Sequence, residues 1–215
     1  MEEIDFIRLW KEQNEKIEKS LQINKAILKE SLQSKTVATL RPLKSIRWIG
    51  IIFGVLWCAA IAFIVLVSWN KTNVFFKSSL IIHFFISLIA VALYIYHLAL
   101  LNKCNVSQSI IVSQQKLIKL EESNLLTLRL LLVQLPVFST WFITYEWIEN
   151  SPYSFWGIQM PIVLLQTYIG IWFYNNLNYK NYDKKWFNWF ISKGEFASIK
   201  KSMQLLNEIE DLKKL

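Results

Sequence analysis

Chain breakers and reactive side chains are scarce: the 215 residues include five glycines, four prolines, two cysteines and two histidines. So little turn-forming material argues against a strand-rich fold and favours helices. Cys58 falls inside an apolar run and Cys104 just beyond the next, so neither CxxC redox chemistry nor a disulfide framework is on offer, and both read as packing residues. GxSxG, HExxH, GxxxxGKS and a histidine box are all missing. No catalytic, cofactor-binding or metal-ligating residue is therefore assigned, and the chain reads as a non-enzyme. The opening Glu2, Glu3, Ile4, Asp5 is acidic where a secretory signal is basic, so no cleaved signal peptide is expected.

Apolar residues are abundant, at 53% hydrophobic and 15% aromatic. A helix crosses the roughly 30 Å hydrocarbon core with about 20 apolar residues. Four runs approach that length, at about 48–69, 78–102, 127–147 and 156–176. The first carries no charge, and its aliphatic and phenylalanine side chains favour insertion by roughly 4–7 kcal/mol gross. The third is the weakest, because Arg129 and Glu146 close it in and both must snorkel outward. Pro136 should bend it by removing a backbone donor, while Pro161 sits early in the fourth run, where that loss costs least. The fold class expected is all-α: a four-helix transmembrane bundle at 41–179 with cytoplasmic helical extensions.

Charge sets the orientation. Of the 24 Lys and Arg residues, ten precede the first run, four lie between the second and third, and eight follow the fourth. The remaining connectors hold only Lys71 and Lys77. The positive-inside rule then puts both termini in the cytoplasm. The formal net charge of +8 reads as lysine and arginine held against anionic lipid, with no direct nucleic-acid partner. Trp69, Trp147, Tyr153 and Trp156 suit the outer aromatic belt, and Trp48, Trp172, Tyr179, Trp186 and Trp189 the inner one.

The cytoplasmic parts carry the specific patterns. From Ile4 to about Leu32 the chain reads as a helix within an extension at 1–40. Ile7, Trp10, Asn14, Ile17, Leu21, Asn24 and Leu28 follow one another at alternating spacings of three and four, a heptad seam interrupted by two asparagines. The seam either lies on the protein's own cytoplasmic face or is offered to a protein partner, in trans or by homodimerisation as a coiled coil. Residues 103–126 read as a helical hairpin projecting below the second and third spans, with Val106, Ile110, Leu117 and Leu120 on one face. Residues 180–215 hold an interfacial segment, in which Lys184 and Lys185 adjoin Trp186, Phe187, Trp189 and Phe190, and a final amphipathic helix bearing Phe196, Ile199, Met203, Leu206 and Ile209.

Intramembrane polar residues need a reason to be there. His83 and His97 lie 14 positions apart, about 21 Å along one helix, too far to share a metal. They, with Gln134, Gln159 and Gln166, read as hydrogen-bonding groups between helices. No carboxylate occupies the middle of a run, which counts against proton-coupled transport, and no convergent charged cluster is expected.

The opening Phe6-Ile7-Arg8-Leu9-Trp10-Lys11-Glu12-Gln13, together with Leu132-Val133-Gln134-Leu135-Pro136, resembles an uncharacterised family of bacterial four-span membrane proteins often encoded beside extracytoplasmic-function sigma factors. The resemblance implies an inner-membrane, anti-sigma-like signalling role with a sigma factor as the cytoplasmic partner. The HxxxCxxC signature of zinc anti-sigma factors is missing. A small transporter or channel subunit and a structural membrane protein are the alternatives.

Overall fold

The structure, a computed structural model, describes residues 2–104, 110–181, 183–191 and 194–214, with side chains described from Ile7. Every element among the described residues is helical. Helix α1 (Glu2–Ser68) runs 67 residues without a break, about 100 Å at 1.5 Å per residue. It is followed by α2 (Val74–Asn102), α3 (Ile110–Val133), α4 (Leu135–Thr140), α5 (Tyr145–Asn150) and α6 (Pro152–Ser154). A π-helical turn (Phe155–Gln159) leads into α7 (Met160–Asn176), and α8 (Lys185–Ile191) and α9 (Gly194–Lys214) complete the chain. Three stretches are long and apolar enough to cross a membrane: Ile7–Ser68, Val74–Asn102 and Ile110–Thr140.

The helix expected over Ile4 to about Leu32 and the first run at about 48–69 belong to one element, since α1 joins them through Pro42. An interior proline costs about 3 kcal/mol by deleting one backbone bond. Burial offsets it here: Leu40 and Leu43 flank the proline and are 4% and 1% exposed, in a core shared with α3 and α9. Within the membrane zone Gly50 and Gly54 let α1 approach α2 closely. A Cβ at Gly50 would overlap the Tyr94 ring, and one at Gly54 would overlap Val91 Cγ2. This is the small-xxx-small device for helices that have no hydrophobic drive to associate in lipid.

Over the expected hairpin at 103–126, α3 runs unbroken from Ile110 into the third run as far as Val133. Ile110, Leu117 and Leu120 are buried on its inner face, while Val106 lies outside the described residues. The third run departs from its expected end at 147. Regular helix is interrupted at Gln134, resumes as α4 with Pro136 in its first turn, and stops at Thr140. The chain turns at 141–144, and Thr144 caps α5 by accepting from the Trp147 N–H at 3.1 Å. The π turn before α7 has a similar origin. Pro161 has no N–H to bond the residue four back, and the Met160 N–H reaches the Phe155 carbonyl instead.

Beyond the membrane zone, α9 returns to pack on α1 and α3. Ile199, Leu206 and Ile209 are fully buried there against Leu32, Leu43, Leu117 and Leu120. Each such side chain contributes about 1.5–3 kcal/mol by leaving water. Gly194 starts α9 at a φ of 63°, which a glycine adopts without the strain a side chain would add. A second core gathers Leu125 of α3, Leu177 just after α7, and Phe187 and Ile191 of α8. Arg129 ties α3 to the end of α7 by donating to the Leu177 carbonyl at 2.5 Å, a cation at a helix C-terminus.

Candidate functional site

Three features stand out: the seam on α1, a polar cluster where α1, α2, α3 and α9 converge, and a second polar cluster among the membrane-length helices. The seam is exposed along its whole length. Ile7, Trp10, Ile17, Leu21 and Leu28 are 46–63% exposed, and Asn14 and Asn24 are exposed between them. The first buried residue of α1 among those described is Leu32, so roughly 36 Å of helix from Ile7 to Ser31 carries the seam clear of the core. The placement of this seam on the protein's own cytoplasmic face is therefore not what the structure has. The connector helix is already covered by α9 and by α1 from Leu32 onward.

The second feature corrects the expectation of no convergent charged cluster. Arg47 is 2% exposed, and its Nη2 donates to Asn124 Oδ1 at 2.5 Å and to the Glu195 carboxylate. Its guanidinium lies over the Tyr94 ring, 4.9 Å from the centroid. One turn further along α2, His97 Nε2 bonds Ser123 Oγ at 2.7 Å. Among the described residues, three buried nitrogens here have no protein partner: Arg47 Nε, Asn124 Nδ2 and His97 Nδ1. Arg47 enters the sequence reading only as one more basic residue before the first run. The signal that marks it is position, the last charge before 23 uncharged residues, which forces its side chain to find a partner at the membrane boundary.

The third cluster centres on the break in the third run. Gln134 Nε2 lies 2.8 Å from His83 Nδ1 and 3.3 Å from both the His83 carbonyl and Ser87 Oγ. The interruption at Gln134 turns its amide to α2, and Phe138, Trp141 and Trp57 ring the imidazole at 4.3, 5.4 and 5.7 Å between centroids. Nearby, Ser79 Oγ pairs with Thr140 Oγ1 at 2.8 Å. Gln159 and Gln166 converge on one residue of α4: Gln159 Nε2 donates to the Ser139 carbonyl and Ser139 Oγ donates to Gln166 Oε1, both at 2.5 Å.

Ser79, His83 and Ser87 thus form a stripe at four-residue spacing on the buried face of α2. The stripe stops there. Ala90 and Val91 occupy the same buried face before Tyr94 and His97 resume it. Among the described residues no three His, Cys, Asp or Glu side chains group as a metal site. The hydrogen bonds of His83, His97, Gln134, Gln159 and Gln166 each join one helix to another. Phe190 and Tyr179, expected at the interface, have side chains outside the described residues. Trp172 and Trp186 do meet, with ring centroids 5.1 Å apart. No family model, no curated protein and no solved structure matches the chain.

Proposed function

We propose that the chain is a four-span, non-enzymatic membrane regulator that holds a cytoplasmic protein partner on the seam of α1. The observation that carries this reading is the seam's exposure. Seven residues at heptad spacing stand clear of the core on a helix continuous with a membrane span. Apolar side chains at this density on a stiff helix form an interaction face, and surface aromatic and aliphatic anchors are what helix-on-helix recognition uses. Asn14 and Asn24 interrupt the seam, so it favours a partner with matching polar positions over indiscriminate association.

Two arguments support four crossings with both termini cytoplasmic. The packing of α9 on the 32–47 segment of α1 favours a return of the chain to the side it started from, and so an even number of crossings. The π turn and α7 together run from Phe155 to Asn176, about 33 Å of helix, enough for the fourth. The basic residues then name that side as cytoplasmic. The break between Ser87 and Tyr94 in the polar stripe of α2 counts against a transport path. The resemblance in the opening and third-span residues makes a sigma factor the first partner to try, in a bacterial inner membrane.

A photoreactive amino acid placed at Trp10 or Leu21 in cells tests the reading. The expected product is a discrete crosslink to one cytoplasmic protein from both positions and none from Lys16, off the seam. Crosslinks only to a second copy would replace the partner by a homodimer, and none at all would overturn the proposal.

A further inference from the structure

A cleft of about 430 Å³ lies between α1 and the α3–α4 break, with α2 as its floor. Phe53 and Trp57 form one wall, Ala90 and Val91 the floor, and Leu131 and Phe138 the far wall. Phe53, Leu131 and Phe138 are 69%, 38% and 41% exposed, so the cleft opens sideways from a helix group long and apolar enough to cross a bilayer. Toward the cytoplasmic core it adjoins a second cavity of about 90 Å³; Tyr94 and Leu131 line both. Arg47 and Asn124, 2% and 5% exposed, line this smaller cavity and hold the unpaired Arg47 Nε–H and Asn124 amide.

We propose that one acyl chain of a membrane glycerophospholipid occupies the cleft, with its ester carbonyl accepting from Arg47 Nε and Asn124 Nδ2. The chemistry selects this ligand in three steps. Two buried donors without acceptors are costly, so the site wants an oxygen there. The charge of Arg47 is already matched by Glu195, so the missing group is a neutral acceptor and not an anion. The larger space is lined mainly by aromatic and aliphatic side chains, and its polar liners His83, Ser87 and Gln134 are already bonded to one another, so it suits a hydrocarbon chain better than water. An acyl ester joins a carbonyl to a long apolar chain, and in a bilayer its carbonyl sits where hydrocarbon meets headgroup. Arg47, the last charge before the uncharged first run, suits that level. The inference is independent of the partner on α1.

The test uses the full-length protein in phosphatidylcholine nanodiscs, doped with an ester-linked or an ether-linked phosphatidylcholine that carries a photoactivatable group midway along one chain. After irradiation, peptide mapping should find adducts concentrated on Phe53, Trp57 and Leu131, well above those on the outward-facing Leu66. The ether analogue lacks the carbonyl and should label the cleft about 25-fold less, the loss of two hydrogen bonds of about 1 kcal/mol each. A smaller loss of about fivefold, one hydrogen bond, is expected for Asn124→Leu with the ester lipid, and Leu131→Trp, at an exposed position, should block the cleft to either analogue. Equal labelling by ester and ether lipids on the wild-type protein, or adducts spread evenly over the outward faces, would overturn the proposal and leave only annular lipid.

Discussion

Arg47 of α1 and Glu195 of α9, 148 positions apart in the chain, meet as an ion pair in which the arginine is 2% exposed and the glutamate 26%. The pair fastens the returning C-terminal helix to the first membrane helix at the point where apolar surroundings begin. Replacing the carboxylate by an amide leaves an enclosed cation with only neutral oxygens as partners. Glu195→Gln should therefore lower the stability of the α9 contact by about 1–3 kcal/mol, since hydrogen bonds to charged groups lie in that range. Hydrogen exchange in detergent would read this as faster exchange across α9, centred on the Ile199–Ile209 face. Arg47→Lys should not substitute, because one ammonium cannot reproduce the planar fork stacked over Tyr94. Unchanged α9 protection in both variants would show the pair to be incidental.

The contact of Gln134 with His83 and Ser87 should be measurable as a coupling. Polar pairs between membrane helices contribute about 0.6 kcal/mol on average and up to about 1.7. A double-mutant cycle of Gln134→Leu and His83→Phe, followed by denaturation in mixed micelles, should give a coupling within that range. A value of zero would mean that α3 and α4 are held on α2 by shape alone.

Cys104 sits at the turn after α2, half buried, with its Sγ–H directed at the Ser113 carbonyl at 4.0 Å. Burial pushes its thiol above the ordinary cysteine range, against the opposing pull of the Ser113 contact, Lys116 and Lys44. A raised pKa keeps the unreactive thiol as the main form at pH 8. In a Cys58→Ala background, alkylation should be slower than for a free thiol at pH 8 and should still be rising above pH 9. Unfolding in detergent should bring the midpoint back to that of an exposed cysteine. A native midpoint at or below the free value would contradict the burial.

Topology is open to direct labelling. In a cysteine-free background, Lys71→Cys and Asn150→Cys should react with an impermeant maleimide applied from outside, and Lys16→Cys and Lys200→Cys should react only after lysis. The reverse pattern would overturn the orientation drawn from the basic residues.

Much of this architecture was legible because its causes are local. Apolar runs, the asymmetry of Lys and Arg, and the disturbance around Pro136 each depend on neighbouring residues alone. The continuity of α1 was not: Pro42 argues for a break, and what overrides it is Leu40 and Leu43 buried against α3 and α9, information held far along the chain. The same reason hides Arg47, Asn124 and Glu195, whose convergence has no spacing signature. The types of Gln134, Gln159 and Gln166 announced interhelical bonding, but their partners did not. Ser139 receives two of them only because α4 is a short, displaced helix that sets its backbone against the π turn and its hydroxyl against α7.

The central claim, that the exposed seam of α1 holds the partner, is tested most directly by substituting Trp10→Ala and Leu21→Ala together and co-purifying from a detergent extract with quantitative mass spectrometry. Neither residue touches the described core, and both are more than half exposed, so membrane insertion and the thermal stability of the detergent-solubilised protein should be unchanged. The account predicts that one cytoplasmic protein, recovered in stoichiometric amount with the wild-type chain, falls by more than tenfold, as expected for the loss of two anchors of about 1–2 kcal/mol each. Recovery of every co-purifying protein at the wild-type level, with the variant correctly inserted, would contradict it.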